Sequence, residues 1–220
     1  MDAFLLSRYT KNRAYLLLSF SFLLFSCNKQ EAVPVQRGFL EDFIKSDGAI
    51  KVYKTTNFPN DYRHTATYRG YIFKPLEAIK ITAIGGKIAA EGTYRIELYD
   101  HTNLSWTKSD PLLVDSVAVS NTDGFQYKPL AKALELKANH LYLIRYFNKS
   151  HDSVYDALLP ESYNPDQGLY FPFQIKEIEV MDIYYTYHYL YEGQYYWGEE
   201  GTYNTPKFRG LVDFTYEKVR

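Results

Sequence analysis

Between Ile183 and Tyr203 the chain reads Ile-Tyr-Tyr-Thr-Tyr-His-Tyr-Leu-Tyr-Glu-Gly-Gln-Tyr-Tyr-Trp-Gly-Glu-Glu-Gly-Thr-Tyr. Side chains alternate between the two faces of a strand. Tyr185, Tyr187, Tyr189 and Tyr191 would therefore share one face, and Tyr184, Thr186, His188 and Leu190 the other. Tyr195, Tyr196 and Trp197 follow Gly193 and are expected on a loop or hairpin tip, partly exposed. Flat rings stack on the apolar C–H faces of sugars. Carboxyl and amide groups such as Glu192, Gln194, Glu199 and Glu200 can bond the sugar hydroxyls. A protein partner suits the same residues, because Tyr and Trp are enriched at binding hot spots. The competing reading of 184–191 is a core strand, since each ring can bury about 150–250 Å². Trp106, in Asn103-Leu-Ser-Trp-Thr-Lys108, is a second aromatic candidate. Packing over a sheet end is the alternative for it. The tentative ligand-binding set is Tyr195, Tyr196, Trp197, Trp106 and Glu199.

Other chemistries find less support. The histidines are His64, His101, His140, His151 and His188. None forms an i, i+4 pair or a His-x-His arrangement, so a zinc site is not expected. Asp152, Asp156, Glu161 and Asp166 offer oxygens to calcium but lack EF-hand spacing. Glu199 and Glu200 are adjacent and would face opposite ways in a strand, whereas glycoside hydrolysis needs two carboxylates flanking one bond. No Gly-x-Ser-x-Gly elbow, phosphate loop or dinucleotide fingerprint occurs. The expectation is a non-enzyme without metal or cofactor. A hydrolase using a carboxylate pair from separate strands stays open as the weakest alternative.

The chain has a single cysteine, Cys27. Before it stand the basic residues Arg8, Lys11 and Arg13, the apolar run Ala14 to Phe25, and the small residue Ser26. At about 1.5 Å per residue this run spans about 18 Å as helix. A hydrocarbon core of about 30 Å needs more. The pattern resembles a bacterial lipoprotein signal, cleaved after Ser26 and lipidated on Cys27. That resemblance implies a signal peptide over 1–26 and a membrane partner reached through a palmitate-bearing anchor on Cys27. Residues 27–37 would form the lipidated cysteine and its polar tether. Asn28 stands where an aspartate would resemble an inner-membrane retention signal. The expected place is the outer membrane of a Gram-negative cell envelope, with either the periplasmic or the surface face open. With one thiol, neither a disulfide framework nor a thiolate-rich metal site can form.

The net charge is −1 at pH 7, which argues against a nucleic-acid partner, since that needs a clustered basic face. Tyrosine is the outlier, 23 of 220 residues, and it favours half-buried strands. Phe39, Leu40, Phe43 and Ile44 have helical spacing and predict a short N-terminal helical turn. From about residue 49 the period becomes two. Ile79/Ile81/Ala83 alternate with Lys80/Thr82, and Tyr94/Ile96/Leu98 with Arg95/Glu97. Leu134/Leu136 alternate with Glu135/Lys137, and Val212/Phe214/Tyr216 with Asp213/Thr215/Glu217. Further strands are predicted at 49–55, 67–74, 111–119, 124–128, 141–147 and 178–191. Turn residues separate them, including Gly85-Gly86, Glu91-Gly92 and Asp123-Gly124. The expected fold is all-β, an antiparallel jelly-roll-like sandwich of about ten strands forming one domain over 38–220. The stretch 150–177 breaks the alternation and reads as a loop-rich insertion.

Several segments carry a further resemblance. They are Tyr71-Ile-Phe73, Ile81-Thr-Ala-Ile-Gly85, Thr93-Tyr-Arg-Ile-Glu-Leu-Tyr-Asp100, Phe125-Gln-Tyr127, Leu136-Lys-Ala-Asn139 and Leu141-Tyr-Leu-Ile144. Together they resemble β-sandwich modules of unknown function on bacterial surface proteins, often joined to carbohydrate-active or adhesive chains. The phenylalanine-rich signal and tyrosine-rich body are similar to Bacteroidetes lipoproteins. The resemblance implies a fold and an envelope setting, with no catalytic residues to carry over. The function expected is a non-catalytic module binding glycan or a surface protein. The alternative is an assembly subunit of a surface complex, using an aromatic interface.

Overall fold

The computed structural model describes residues 37–46, 50–55, 64–102, 110–148, 155–160, 171–191, 194–201, 208–209 and 211–219. One helix, α1 (Phe39–Ser46), precedes the strands. These are β1 (Ile50–Thr55), β2 (His64–Pro75), β3 (Ile79–Lys87), β4 (Gly92–Asp100), β5 (Leu113–Val119), β6 (Gln126–Leu136) and β7 (Tyr142–Asn148). There follow β8 (Tyr155–Pro160), β9 (Phe173–Ile175), β10 (Ile178–Tyr191), β11 (Gln194–Gly201), β12 (Phe208–Arg209) and β13 (Leu211–Lys218). Every pairing among them is antiparallel.

The large sheet runs β11-β10-β2-β7-β4-β5, with β9 also paired to β10. Facing it is the sheet β13-β3-β6, and β1-β8-β12 forms a small third sheet. The chain alternates between the two main sheets in the jelly-roll manner: β2 large, β3 small, β4 and β5 large, β6 small, β7 large. The result is the all-β sandwich that period-two alternation predicts, with the short helix ahead of it.

The inward positions are those the alternation picks out. Tyr71, Phe73, Ile79, Ile81, Ile96, Leu98, Ile144, Val180 and Phe214 lie in one apolar cluster between the sheets. Helix α1 contributes to it. Phe39 sits with its ring centroid 4.8 Å from Phe214 and 5.8 Å from Tyr71. Leu40 is fully buried beside it.

Two expectations about wet faces fail. Glu97 falls on the polar side of its strand, yet is 1% exposed; Asp213 falls on the polar side of β13, yet is 0% exposed. In each case something encloses the carboxylate, and for Glu97 it is the Arg145 and Tyr99 side chains of its own face. For Asp213 it is α1. Its carboxylate accepts the backbone N–H of Leu40 and Glu41, so it caps the helix from across the fold. It also accepts the N–H of Phe214 and the hydroxyl of Tyr127. The Tyr127 oxygen in turn accepts the N–H of Gly38. Oxygen acceptors at the first turn suit the unpaired N–H groups there.

The stretch 150–177 carries β8 and β9, so as far as it is described it is not all loop. β8 pairs with β1, about a hundred residues earlier in sequence, through the register Ile50↔Pro160 to Thr55↔Tyr155.

Candidate functional site

The aromatic residues read as a loop or hairpin tip belong to a strand. Tyr195, Tyr196, Trp197 and Glu199 all lie within β11. The register sets Tyr195 opposite Leu190, Tyr196 opposite Tyr189, Trp197 opposite His188 and Glu199 opposite Thr186. A long partner strand, β10, extends them into the sheet, because it offers a ladder where the local glycines suggest a turn. Trp106 and Cys27 lie outside the described residues.

Behind this hairpin, the outer face of the large sheet holds a polar and aromatic cluster. Its centre is Arg145 of β7. The guanidinium donates to Glu97 Oε2 from Nε at 2.9 Å and from Nη2 at 2.7 Å. It donates further to Tyr99 Oη at 3.0 Å and to Tyr184 Oη at 3.1 Å. Tyr99 Oη donates to the same Glu97 oxygen at 2.7 Å. The other carboxylate oxygen pairs with Arg95 Nη2 at 2.8 Å. The flat guanidinium lies 3.9 Å from the Tyr68 ring centroid and 4.8 Å from that of Tyr99. Tyr68 and Phe147, both half-buried, stand side by side with centroids 4.8 Å apart.

The strand order makes this meeting possible. One cross-strand row reads Gly201–Tyr184–Gly70–Arg145–Glu97–Val114. The next reads Glu199–Thr186–Tyr68–Phe147–Arg95. In the first row Gly70 stands between Tyr184 and Arg145. A Cβ on Gly70 would run into the Ile144 carbonyl and the Arg145 backbone. With no side chain there, Arg145 reaches past it to Tyr184. The facing sheet repeats the device. Gly85 stands between Asp213 and Tyr127, and their hydrogen bond closes across it. Gly70→Ala should therefore lower stability by about 2 kcal/mol or more, as overpacking against rigid backbone does. The urea midpoint should fall with an unchanged m value.

The electrostatics favour a fixed cation. Burial pulls the Arg145 guanidinium down, but the Glu97 bonds and the Tyr184 and Tyr99 hydroxyls outweigh it, and its pKa is raised. Burial, then the Glu97 bond, push the Tyr99 phenol up. Burial does the same for Tyr68, helped by the charge of Glu97. The side chains at the centre are thus tied to one another. The half-buried rings of Tyr68 and Phe147 and, at the rim, the exposed Arg95 face outward, while the guanidinium itself is buried against the Tyr68 ring. That is equipment for recognition, and the sandwich architecture is consistent with a non-catalytic binding module. Among the described residues, no group of three or more His, Cys, Asp or Glu side chains could hold a metal ion.

A cleft of about 430 Å³ lies elsewhere, between α1 and β9, lined by Arg37, Asp42, Lys45, Gln174 and Lys176 among others. The Lys176–Asp42 ion pair occupies much of its charge. None of the predicted ligand residues lines it.

Tyr68, Glu97, Tyr99, Arg145, Phe147 and Tyr184 were not singled out by the sequence as one site. Their common signal is an aromatic or charged residue at the outward position of β2, β4, β7 and β10. It becomes meaningful only when those strands are known to be neighbours. The chain matches no protein-family model, no curated protein and no solved structure.

Proposed function

We propose that the protein is a non-catalytic, lipid-anchored envelope module that binds glycan on the outer face of its large sheet. The observation that carries this is the Tyr68–Phe147 ring pair beside the immobilised Arg145, in the sheet whose last strand carries Tyr195, Tyr196, Trp197 and Glu199. Ring faces complement the C–H faces of a sugar. Arg95, exposed at the rim, complements its hydroxyls. Because Arg145 is tied down by Glu97, Tyr99 and Tyr184 before any ligand arrives, little side-chain freedom is lost on binding. The anchor rests on the basic start, the apolar run and Ser26-Cys27. Two or three acyl chains on Cys27 hold a protein stably where one would be marginal. Outer-membrane placement in a Gram-negative bacterium follows from the same signal and from Asn28.

A glycan array probed with the full chain tests the binding reading, with Trp197→Ala alongside. Selective glycan binding that weakens in the variant supports it, and an array without any hit sinks it. Radiolabelled palmitate tests the anchor. Label should enter wild type and not Cys27→Ser; unlabelled wild type removes the anchor. A surface protein is the second reading, favoured by the position of β11 at the end of the sheet.

A further inference from the structure

Beside the Tyr68 and Phe147 rings, positive charge exceeds negative among the described residues. Arg145 and Arg95 both pair with Glu97, at 2.7 Å to one oxygen and 2.8 Å to the other. Two guanidiniums thus share this carboxylate, which also accepts the Tyr99 hydroxyl. The uncancelled charge comes to the surface at Arg95, whose side chain is 53% exposed against 9% for Arg145. An arginine carries five N–H donors. Arg95 turns Nη2 toward Glu97, and no other described acceptor meets it. The buried carboxylate therefore holds the guanidinium in place and leaves most of its donors to the solvent side. Its cross-strand neighbours are Phe147 and the small Ser116. From Tyr68 through Phe147 to Arg95 the row covers two strand spacings, about 10 Å. Other carboxylates of the sheet are engaged or distant. Glu179 pairs with Lys74, and Asp182 stands opposite Ile72, two rows away and three strands across. Glu199 is four spacings along the row, about 19 Å, beyond the screening length of about 10 Å at 0.1 M salt.

We infer, resting on the glycan reading of this face, that the sugar it takes is acidic, with its carboxylate on Arg95 and its ring against Phe147 and Tyr68. A hexuronate unit carries the matching parts side by side. It has an apolar ring face and, on the carbon outside the ring, a carboxylate ionised at neutral pH. The planar fork of arginine takes both oxygens of a carboxylate in parallel bonds, a match that a single hydroxyl lacks. The ligand carboxylate supplies the second negative charge that the two guanidiniums lack. Glu97 cannot supply it, because its one charge is already divided between them. A neutral sugar leaves the excess charge in place. Because Glu97 holds Arg95 before the ligand arrives, little of that side chain's freedom is lost on binding.

The test uses the full chain on an array of hexuronate glycans, the methyl esters of the same glycans, sulfated glycans and neutral glycans. Esterification removes the charge and keeps the ring. Wild type should bind the free acids at least about tenfold more tightly than their esters. That preference should shrink as salt is raised. Equal affinity for acids and esters, or binding confined to neutral or sulfated glycans, overturns the acidic sugar and leaves the glycan reading standing. An array without any hit removes both. Arg95→Gln keeps a hydrogen-bonding side chain and removes the charge. It should bind acids and esters alike, whereas Tyr68→Ala should weaken both to the same degree. In Arg95→Gln, Glu97 retains its two bonds from Arg145 and the Tyr99 hydroxyl. The urea midpoint of that variant should stay close to that of wild type, as expected for an exposed ion pair. An Arg95→Gln protein that keeps the full preference for acids overturns the role given to Arg95.

Discussion

Arg145→Ala is expected to destabilise the protein by about 3–5 kcal/mol, the cost of breaking a buried ion pair from one side. Glu97 is 1% exposed and loses its two bonds from Arg145. What is left to it is the Tyr99 hydroxyl and the half-exposed Arg95. Arg95 cannot follow it inward, because it stands in the neighbouring row, at the rim. Tyr184 loses its bond from Arg145 as well. The destabilisation should come from the stranded carboxylate more than from lost packing. Arg145→Met with Glu97→Gln should therefore recover much of what Arg145→Met alone loses. Urea unfolding of the three variants measures this. If Arg145→Met costs no more than the double variant, the carboxylate is not what the arginine satisfies.

Asp213→Ala is expected to cost on the order of 4 kcal/mol. It leaves the N–H groups of Leu40, Glu41 and Phe214 and the Tyr127 hydroxyl without their acceptor. A buried donor left unmade costs about 1–3 kcal/mol, and partial relaxation of α1 keeps the total below the simple sum. Phe39 and Leu40, which fill the core, depend on this cap for the path of the chain. The same residue gives stability a pH dependence. Burial raises the Asp213 pKa from 3.8 to about 7, although the Tyr127 hydroxyl and three backbone N–H groups pull it down. The folded protein then holds this proton more tightly than the unfolded chain does. Its contribution is fully present below about pH 4 and is lost as pH rises through 7. At about 1.4 kcal/mol per unit, that loss is on the order of 4 kcal/mol between pH 4 and 7. Asp213→Asn should flatten this part of the profile in denaturant titrations. An unchanged slope in the variant would assign the dependence to other groups.

Much of the fold was readable because alternation reports directly on burial. β10 was expected at 178–191 and occupies those residues, and Ile79, Ile81, Ile96 and Leu98 point inward as their spacing demands. β11 was not readable. Its three neighbouring or internal glycines, Gly193, Gly198 and Gly201, and its paired glutamates look like turn chemistry. Only the presence of β10 beside it supplies the ladder that makes it a strand. β8 was missed for a similar reason, since Tyr-Asp-Ala-Leu-Leu-Pro has no alternation and finds its partner far away in β1. The candidate site was legible in kind rather than in place. Aromatic excess pointed to ring-mediated recognition. The residues that assemble it come from β2, β4, β7 and β10, whose order in the sheet no local pattern encodes. Glu97 and Asp213 illustrate the same limit, since alternation gives a face but not what lies over it.

The outer face of the large sheet is the proposed binding face. The direct measurement is the affinity of the full chain for whichever glycan the array selects. It should be compared across Tyr68→Ala, Phe147→Ala and Lys132→Ala, the last on the facing sheet. Removing a stacking ring should weaken binding at least about tenfold, the effect of roughly 1.4 kcal/mol. Lys132→Ala should leave it unchanged. Unaltered affinity in both ring variants, or an equal loss in Lys132→Ala, would rule out this face as the binding surface.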